Sequence, residues 1–150
     1  MAGRNHPVVH LLFACDNAVY NLELERWGLT APWHVVTLPP EVSFPFRADE
    51  FWVYAQLTGG LGQFELAVEL RHLVDDGPPR AVGWGRVATV EFPAAERLQA
   101  ADMVFSLGNM PFREPGIYEI RVLSDDEPGE WVILAGVTFE FRVLDGRTVV

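Results

Sequence analysis

Hydrophobic and polar side chains alternate along most of this chain with a period of two, the spacing that puts one set on each face of an extended strand. In residues 51–58, Phe51, Val53, Ala55 and Leu57 share one face, and Trp52, Tyr54, Gln56 and Thr58 the other. The run 63–73 sets Phe64, Leu66, Val68 and Leu70 against Glu65, Ala67, Glu69 and Arg71, a half-buried antiparallel strand by its pattern. Residues 117–123 and 137–143 repeat the theme. Tyr118, Ile120 and Val122 oppose Glu119 and Arg121, while Val137, Phe139, Phe141 and Val143 oppose Thr138, Glu140 and Arg142. Further strands are predicted at 8–15, 35–38, within 80–92, near 103–107 and at 131–134.

The breaks between these runs have turn chemistry. Gly59-Gly60-Leu61-Gly62 predicts a hairpin between 51–58 and 63–73, because glycine takes positive φ without penalty. Asp75-Asp76-Gly77-Pro78-Pro79 predicts a second, with two prolines that cannot feed a central ladder. Ser124-Asp125-Asp126-Glu127-Pro128-Gly129-Glu130 is a polar turn ahead of the last strands. Gly83 and Gly85 flank Trp84, which points to a bulge or a close backbone approach. Only 93–101 has helix-forming composition, with Pro93 suited to a first turn, so at most one short helix is expected. About seven to nine short strands without helical periodicity predict an all-β fold: two antiparallel sheets packed face to face, in a single domain spanning 1–150. A closed barrel is the alternative.

The segment Pro111-Phe112-Arg113-Glu114-Pro115-Gly116-Ile117-Tyr118-Glu119-Ile120-Arg121-Val122, followed by the strand at 137–143, resembles the turn, Pro-Gly-x-Tyr and paired closing strands of immunoglobulin-like sandwiches. Together with the opening Phe13-Ala14-Cys15-Asp16-Asn17-Ala18, the chain is similar to an uncharacterised family of small bacterial sandwich proteins with no established activity. The resemblance implies an immunoglobulin-like β-sandwich and no particular chemistry. Only one cysteine is present, so the inter-sheet disulfide of true immunoglobulin domains is impossible. Tyr118 also has a physical argument of its own. Gly116 permits a sharp turn into the strand, and a tyrosine two residues on can bury its ring while its hydroxyl bonds a nearby loop backbone. Both residues are read as structural.

Charge narrows the partners. Eleven basic residues, all arginine, stand against 21 acidic ones, and the net charge of −10 repels phosphate backbones and anionic lipid. Neither nucleic acid nor a membrane is an expected partner. Without lysine there is no Schiff-base amine or phosphate-loop ammonium. Cys15 as the sole cysteine excludes an internal disulfide and suits a reducing compartment. The apolar run 8–15 is interrupted by His10 and lacks a secretory cleavage pattern, so a cytoplasmic location is expected.

Candidate chemistry is sparse. His6 and His10 are four apart, but Pro7, Val8 and Val9 favour extended chain over a metal-binding helix face. Ser43, Ser106 and Ser124 lack a nucleophile-elbow context, and Cys15 on an apolar strand reads as a buried thiol. Asp75-Asp76 and Asp125-Asp126-Glu127 would offer oxygen ligands for calcium if their turns converged, yet they lack the alternating spacing of a wrapping loop. No catalytic residue, metal or cofactor is therefore assigned. The surplus lies in five tryptophans. Trp52, Tyr54 and Trp84 are the candidate binding residues, set against the plainer reading that they pack a second face. The expected function is a non-enzymatic module working through protein–protein contact or self-assembly. The alternative is a carbohydrate- or small-ligand-binding module with an aromatic platform.

Overall fold

A computed structural model describes residues 4–85, 88–94, 100–126 and 129–144. Ten strands run in chain order: β1 (Val8–Asn21), β2 (Arg26–Pro32), β3 (Val35–Leu38), β4 (Phe46–Thr58), β5 (Gly62–Leu73), β6 (Arg80–Trp84), β7 (Ala88–Phe92), β8 (Ala101–Phe112), β9 (Gly116–Asp125) and β10 (Trp131–Val143). They form two sheets, β2-β1-β4-β8 and β3-β10-β9-β5-β6, with β7 continuing the edge beside β5. The fold is an all-β sandwich. A single hydrophobic cluster fills the space between the layers, with Phe51, Val53, Ala55 and Leu57 from β4 facing Phe64, Leu66, Val68 and Leu70 from β5 and Tyr118, Ile120 and Val122 from β9. Each set is the apolar half of an alternating run.

The ten strands among the described residues exceed the seven to nine expected, for identifiable reasons. The run 80–92 divides into β6 and β7, and the stretch after Cys15 carries the rest of β1 and its partner β2. Conversely, 131–134 and 137–143 are one strand, with a bulge between Ile133 and Ala135. Residues 95–99 of the expected helix lie outside the described residues.

Two pairings differ from expectation. The Gly59-Gly60-Leu61-Gly62 link does not close a hairpin, because β4 pairs with β1 and β8 whereas β5 pairs with β9, β6 and β7. Both strands have both edges taken, so the link must cross from one sheet to the other. Its glycines serve that crossing: Gly59 and Gly62 have φ of +76° and +97°, and a Cβ on Gly60 would stand 2.7 Å from the Phe92 ring. The sheets are also not wholly antiparallel, since β3 lies parallel to β10. The chain leaves the first sheet at Trp33, whose amide donates to the Ala14 carbonyl, and joins the second at His34, whose carbonyl accepts from the Glu140 amide. A parallel pair made by such a crossing has no local turn signature.

The turn at 75–79 does join antiparallel neighbours, β5 and β6, and β9 and β10 are likewise antiparallel neighbours. The layer containing β4 and β8 is stacked on β5, β9 and β10. Among the described residues no helix is long and apolar enough to cross a membrane.

Candidate functional site

The order of residues 82–85 explains why an indole sits in the open. Gly85 donates its amide to the Val68 carbonyl at 2.5 Å, so it faces inward like Val68. A Cβ there would collide with Leu107 of the opposite sheet and lie 3.1 Å from Val68 Cβ. Gly83, opposite Leu70, also faces inward, where a Cβ would approach Met110 Sδ to 3.0 Å. The two glycines let the β6 edge close down on β8, and the pleat turns Trp84 between them to the outside. A bulge at Val82 accompanies this, visible as the register shift from Leu70/Gly83 to Arg71/Ala81.

Trp84 meets Trp131 from β10 across the outer face of the second sheet, ring centroids 5.7 Å apart and planes tilted 57°. They are 48% and 37% exposed, and Ile133 beside them is 53% exposed. Ala67 and Leu123 pair on this outer face, yet both are buried. Next along the face is a charge ladder. Arg71 Nη2 donates to Glu119 Oε1 at 2.7 Å, and Glu69 Oε1 lies 3.4 Å from Arg121 Nη1 and 3.7 Å from Arg71 Nε. Two arginines and two glutamates cancel locally on a strongly acidic molecule.

The three candidate binding residues do not share a surface. Trp52 and Tyr54 are on the outer face of the first sheet, where Trp52 is half-buried opposite Cys15 and Ser106. Tyr54 is only 7% exposed, its ring against Phe13 and its hydroxyl donating to Asp102 Oδ1 at 2.6 Å. Burial, then the bond to Asp102, pushes its phenol up to about 12. Trp84 is on the other sheet. Sequence reasoning missed Trp131 and Ile133 as its neighbours, although Trp131-Val132-Ile133-Leu134 is apolar on both alternating faces, a pattern that leaves one oily face without a core to fill. Of the other indoles, Trp33 stacks on Phe51 at 4.6 Å and donates Nε1 to Asp16, and Trp27 packs edge-on to Tyr20 along the β1–β2 ribbon.

The structural pair sits at one end of the second sheet. Gly116 opens β9 with φ of +145°, and the Tyr118 hydroxyl donates to the Glu114 carbonyl at 2.5 Å. Burial raises the Tyr118 phenol, partly offset by that bond. His72, opposite Tyr118 on β5, stacks on its ring at 4.5 Å with planes 17° apart.

The remaining candidates are occupied structurally. The Cys15 thiol is buried, donates to the Asn17 carbonyl at 3.4 Å and is pushed up chiefly by burial, the reverse of an activated nucleophile. The acidic turns do not converge. Asp75 and Asp76 follow Leu73, which pairs with Ile117 at the start of β9, whereas Asp125 ends β9 at the other end of the sheet. Asp125 and Asp126 are engaged by Arg4, which donates to Asp125 Oδ2 at 3.2 Å and to the Asp126 carbonyl at 2.6 Å. Among the described residues no group of three or more His, Cys, Asp or Glu is placed to hold a metal ion.

The sequence model of a family of unknown function, DUF6941, matches residues 10–134. No curated protein matches the chain. Among solved structures it is similar to the Pseudomonas fluorescens alkylpurine DNA glycosylase AlkC bound to DNA containing an abasic site analog, at 12% identity and a TM-score of 0.47, over 91% of this chain and 30% of that one. It is also similar to murine CRIg, at 11% identity and a TM-score of 0.39, covering 94% of this chain and 100% of that one. The β-glucosidase from Kluyveromyces marxianus gives 14% identity and a TM-score of 0.41, over 75% of this chain and 15% of the enzyme. The chain thus spans less than a third of the glycosylase. At this level of similarity none of the three bears on what this chain does.

Proposed function

The chain belongs to DUF6941, a family of unknown function, and we propose that it is a non-enzymatic β-sandwich module acting through protein–protein contact, with a second copy of itself as the first partner. One observation carries this reading. Trp84, Trp131 and Ile133 form an exposed apolar centre on the outer face of the second sheet, bordered by the neutral ladder of Glu69, Arg71, Glu119 and Arg121. An apolar, aromatic centre with a polar rim is the anatomy of a recognition surface, and tryptophan and arginine dominate the residues that carry binding energy. Two molecules of net charge −10 repel each other over most of their surfaces. A face whose charges cancel is where they can meet, and a two-fold axis would set each Arg71–Glu119 pair near its own complement. The same net charge disfavours nucleic acid and anionic lipid. A carbohydrate platform fits less well, because two indoles tilted by 57° offer no common plane to a sugar ring.

Sedimentation equilibrium tests the proposal on the full chain, alone and as Trp84→Ser and Ile133→Arg. The expected result is a mass that rises with concentration, with dimer affinity lowered at least tenfold in either variant, about 1.4 kcal/mol, while unfolding stays near that of the unaltered chain. A chain monomeric into the millimolar range would refute self-association. A dimer indifferent to both substitutions would refute this face as its site.

A further inference from the structure

At the end of the second sheet, where β5 runs out toward Asp75 and β9 begins at Gly116, lies an open cavity of about 570 Å³. Four carboxylates wall it, those of Asp75, Asp76, Glu114 and Glu140, with Leu73, Pro115 and Ile117 as apolar wall between them. Glu140 is held by Arg142 at 2.7 Å, and Glu114 lies 3.6 Å from Arg80. Among the described residues Asp75 and Asp76 have no ion-pair partner.

At the inner end is His72, a polar side chain only 7% exposed. Its ring is fixed by the stack on Tyr118, and Nδ1 faces Glu114 Oε1 at 3.5 Å. A proton on Nδ1 suits that carboxylate and leaves Nε2 as a bare acceptor. Nε2 is turned to Gly116, where a Cβ would stand 2.9 Å away. Gly116 lines the cavity, so the glycine keeps the acceptor open to it. Among the described residues nothing donates a hydrogen bond to His72.

An unpaired imidazole nitrogen reaching the cavity from a largely buried ring, in the same lining as two aspartates without ion-pair partners and an apolar wall, calls for a cationic hydrogen-bond donor on a hydrocarbon stem. Anions are repelled there. A metal ion is poorly served, since no three ligating side chains among the described residues are grouped to hold one. The volume lies in the range of small-molecule sites. We propose that this cavity binds an alkylammonium group, supplied either by a lysine side chain of a peptide or by a free polyamine. The ammonium donates to His72 Nε2 and to the aspartates, and its methylenes lie along Ile117 and Pro115. The site is independent of the Trp84–Trp131 face, so failure of either leaves the other standing.

The test is a titration of the full, ¹⁵N-labelled chain, followed by NMR, with n-butylammonium, spermidine and a lysine tripeptide blocked at both ends. Butan-1-ol serves as the uncharged control. Saturable shifts confined to the His72 ring nitrogens and to the amides of 72–76 and 114–117 are expected with the ammonium compounds and not with butanol. The double variant D75N/D76N, altered only in an exposed turn, should weaken binding at least tenfold without changing the folded spectrum elsewhere. Stronger binding of spermidine than of the peptide would identify a free polyamine as the source, and the reverse order a lysine side chain. The proposal is overturned if no ammonium compound gives saturable shifts, if butanol shifts the same residues equally, or if D75N/D76N binds as well as the parent.

Discussion

Replacing Tyr118 by phenylalanine removes one oxygen and leaves everything else about the residue in place. The ring is buried among Phe112, Phe139 and Phe141 and stacked under His72, so the substitution opens no cavity in the apolar cluster. What is lost is the bond from the hydroxyl to the Glu114 carbonyl, 2.5 Å long, which ties the turn between β8 and β9 to the first core residue of β9. An intramolecular hydrogen bond contributes about 1 kcal/mol net, and a partly buried carbonyl left without its donor adds to the cost, so a loss of about 1–2 kcal/mol is expected. For a domain of this size that lowers the melting temperature by about 3–6 °C. Urea unfolding followed by tryptophan fluorescence should show a lower midpoint at unchanged slope, because the surface exposed on unfolding stays the same. A Tyr118→Phe protein with the parent's midpoint would refute the reasoning, and would mean that water serves the Glu114 carbonyl as well as the phenol does.

Gly85→Ala should destabilise by about 1–3 kcal/mol, since its methyl meets Leu107 and Val68 where β6 closes on β8. Gly28→Ala, whose Cβ meets only the Val19 carbonyl at 3.6 Å, should stay within about 0.5 kcal/mol of the parent in the same urea titration. Alkaline unfolding should reveal Tyr54: with a folded-state phenol at about 12 against an ordinary 10, its contribution is complete below pH 10 and lost as pH rises through 12. That contribution is at most about 3 kcal/mol. It should be absent from the pH dependence of Tyr54→Phe; an identical alkaline profile in that variant would remove Tyr54 as its source.

Alternation revealed which residues face the core, and it did so most reliably where one face is charged. The sets Phe64/Leu66/Val68/Leu70 and Tyr118/Ile120/Val122 are buried as the period-two reading requires. It did not reveal which strand lies beside which. The glycine link after β4 has the composition of a hairpin, but a hairpin needs a free edge on both strands, and edge occupancy is decided by β1, β8, β9, β6 and β7, elements far away in the chain. The parallel pairing of β3 with β10 was invisible for the same reason: it is made by a crossing at Trp33 and His34, with no turn residue to mark it. Tyr118 was readable because its bond is local, four residues back along the chain.

The aromatic residues extend that argument to function. Period-two patterning put Trp52 and Tyr54 on the outer side of their strand, and there they are, yet outward is not the same as exposed. Tyr54 lies between β1 and β8 with Phe13 beside it and Asp102 on its hydroxyl, so its neighbours on adjacent strands bury it on the solvent side of the sheet. Trp84 is on an edge strand, has a neighbour on one side only, and remains open until Trp131 reaches it from β10. Whether an outward aromatic becomes a recognition residue or a second small core thus depends on the number of paired neighbours it has. That number belongs to the sheet order, which leaves β6 at an edge; the two glycines flanking Trp84 face β8, and the indole between them is turned outward.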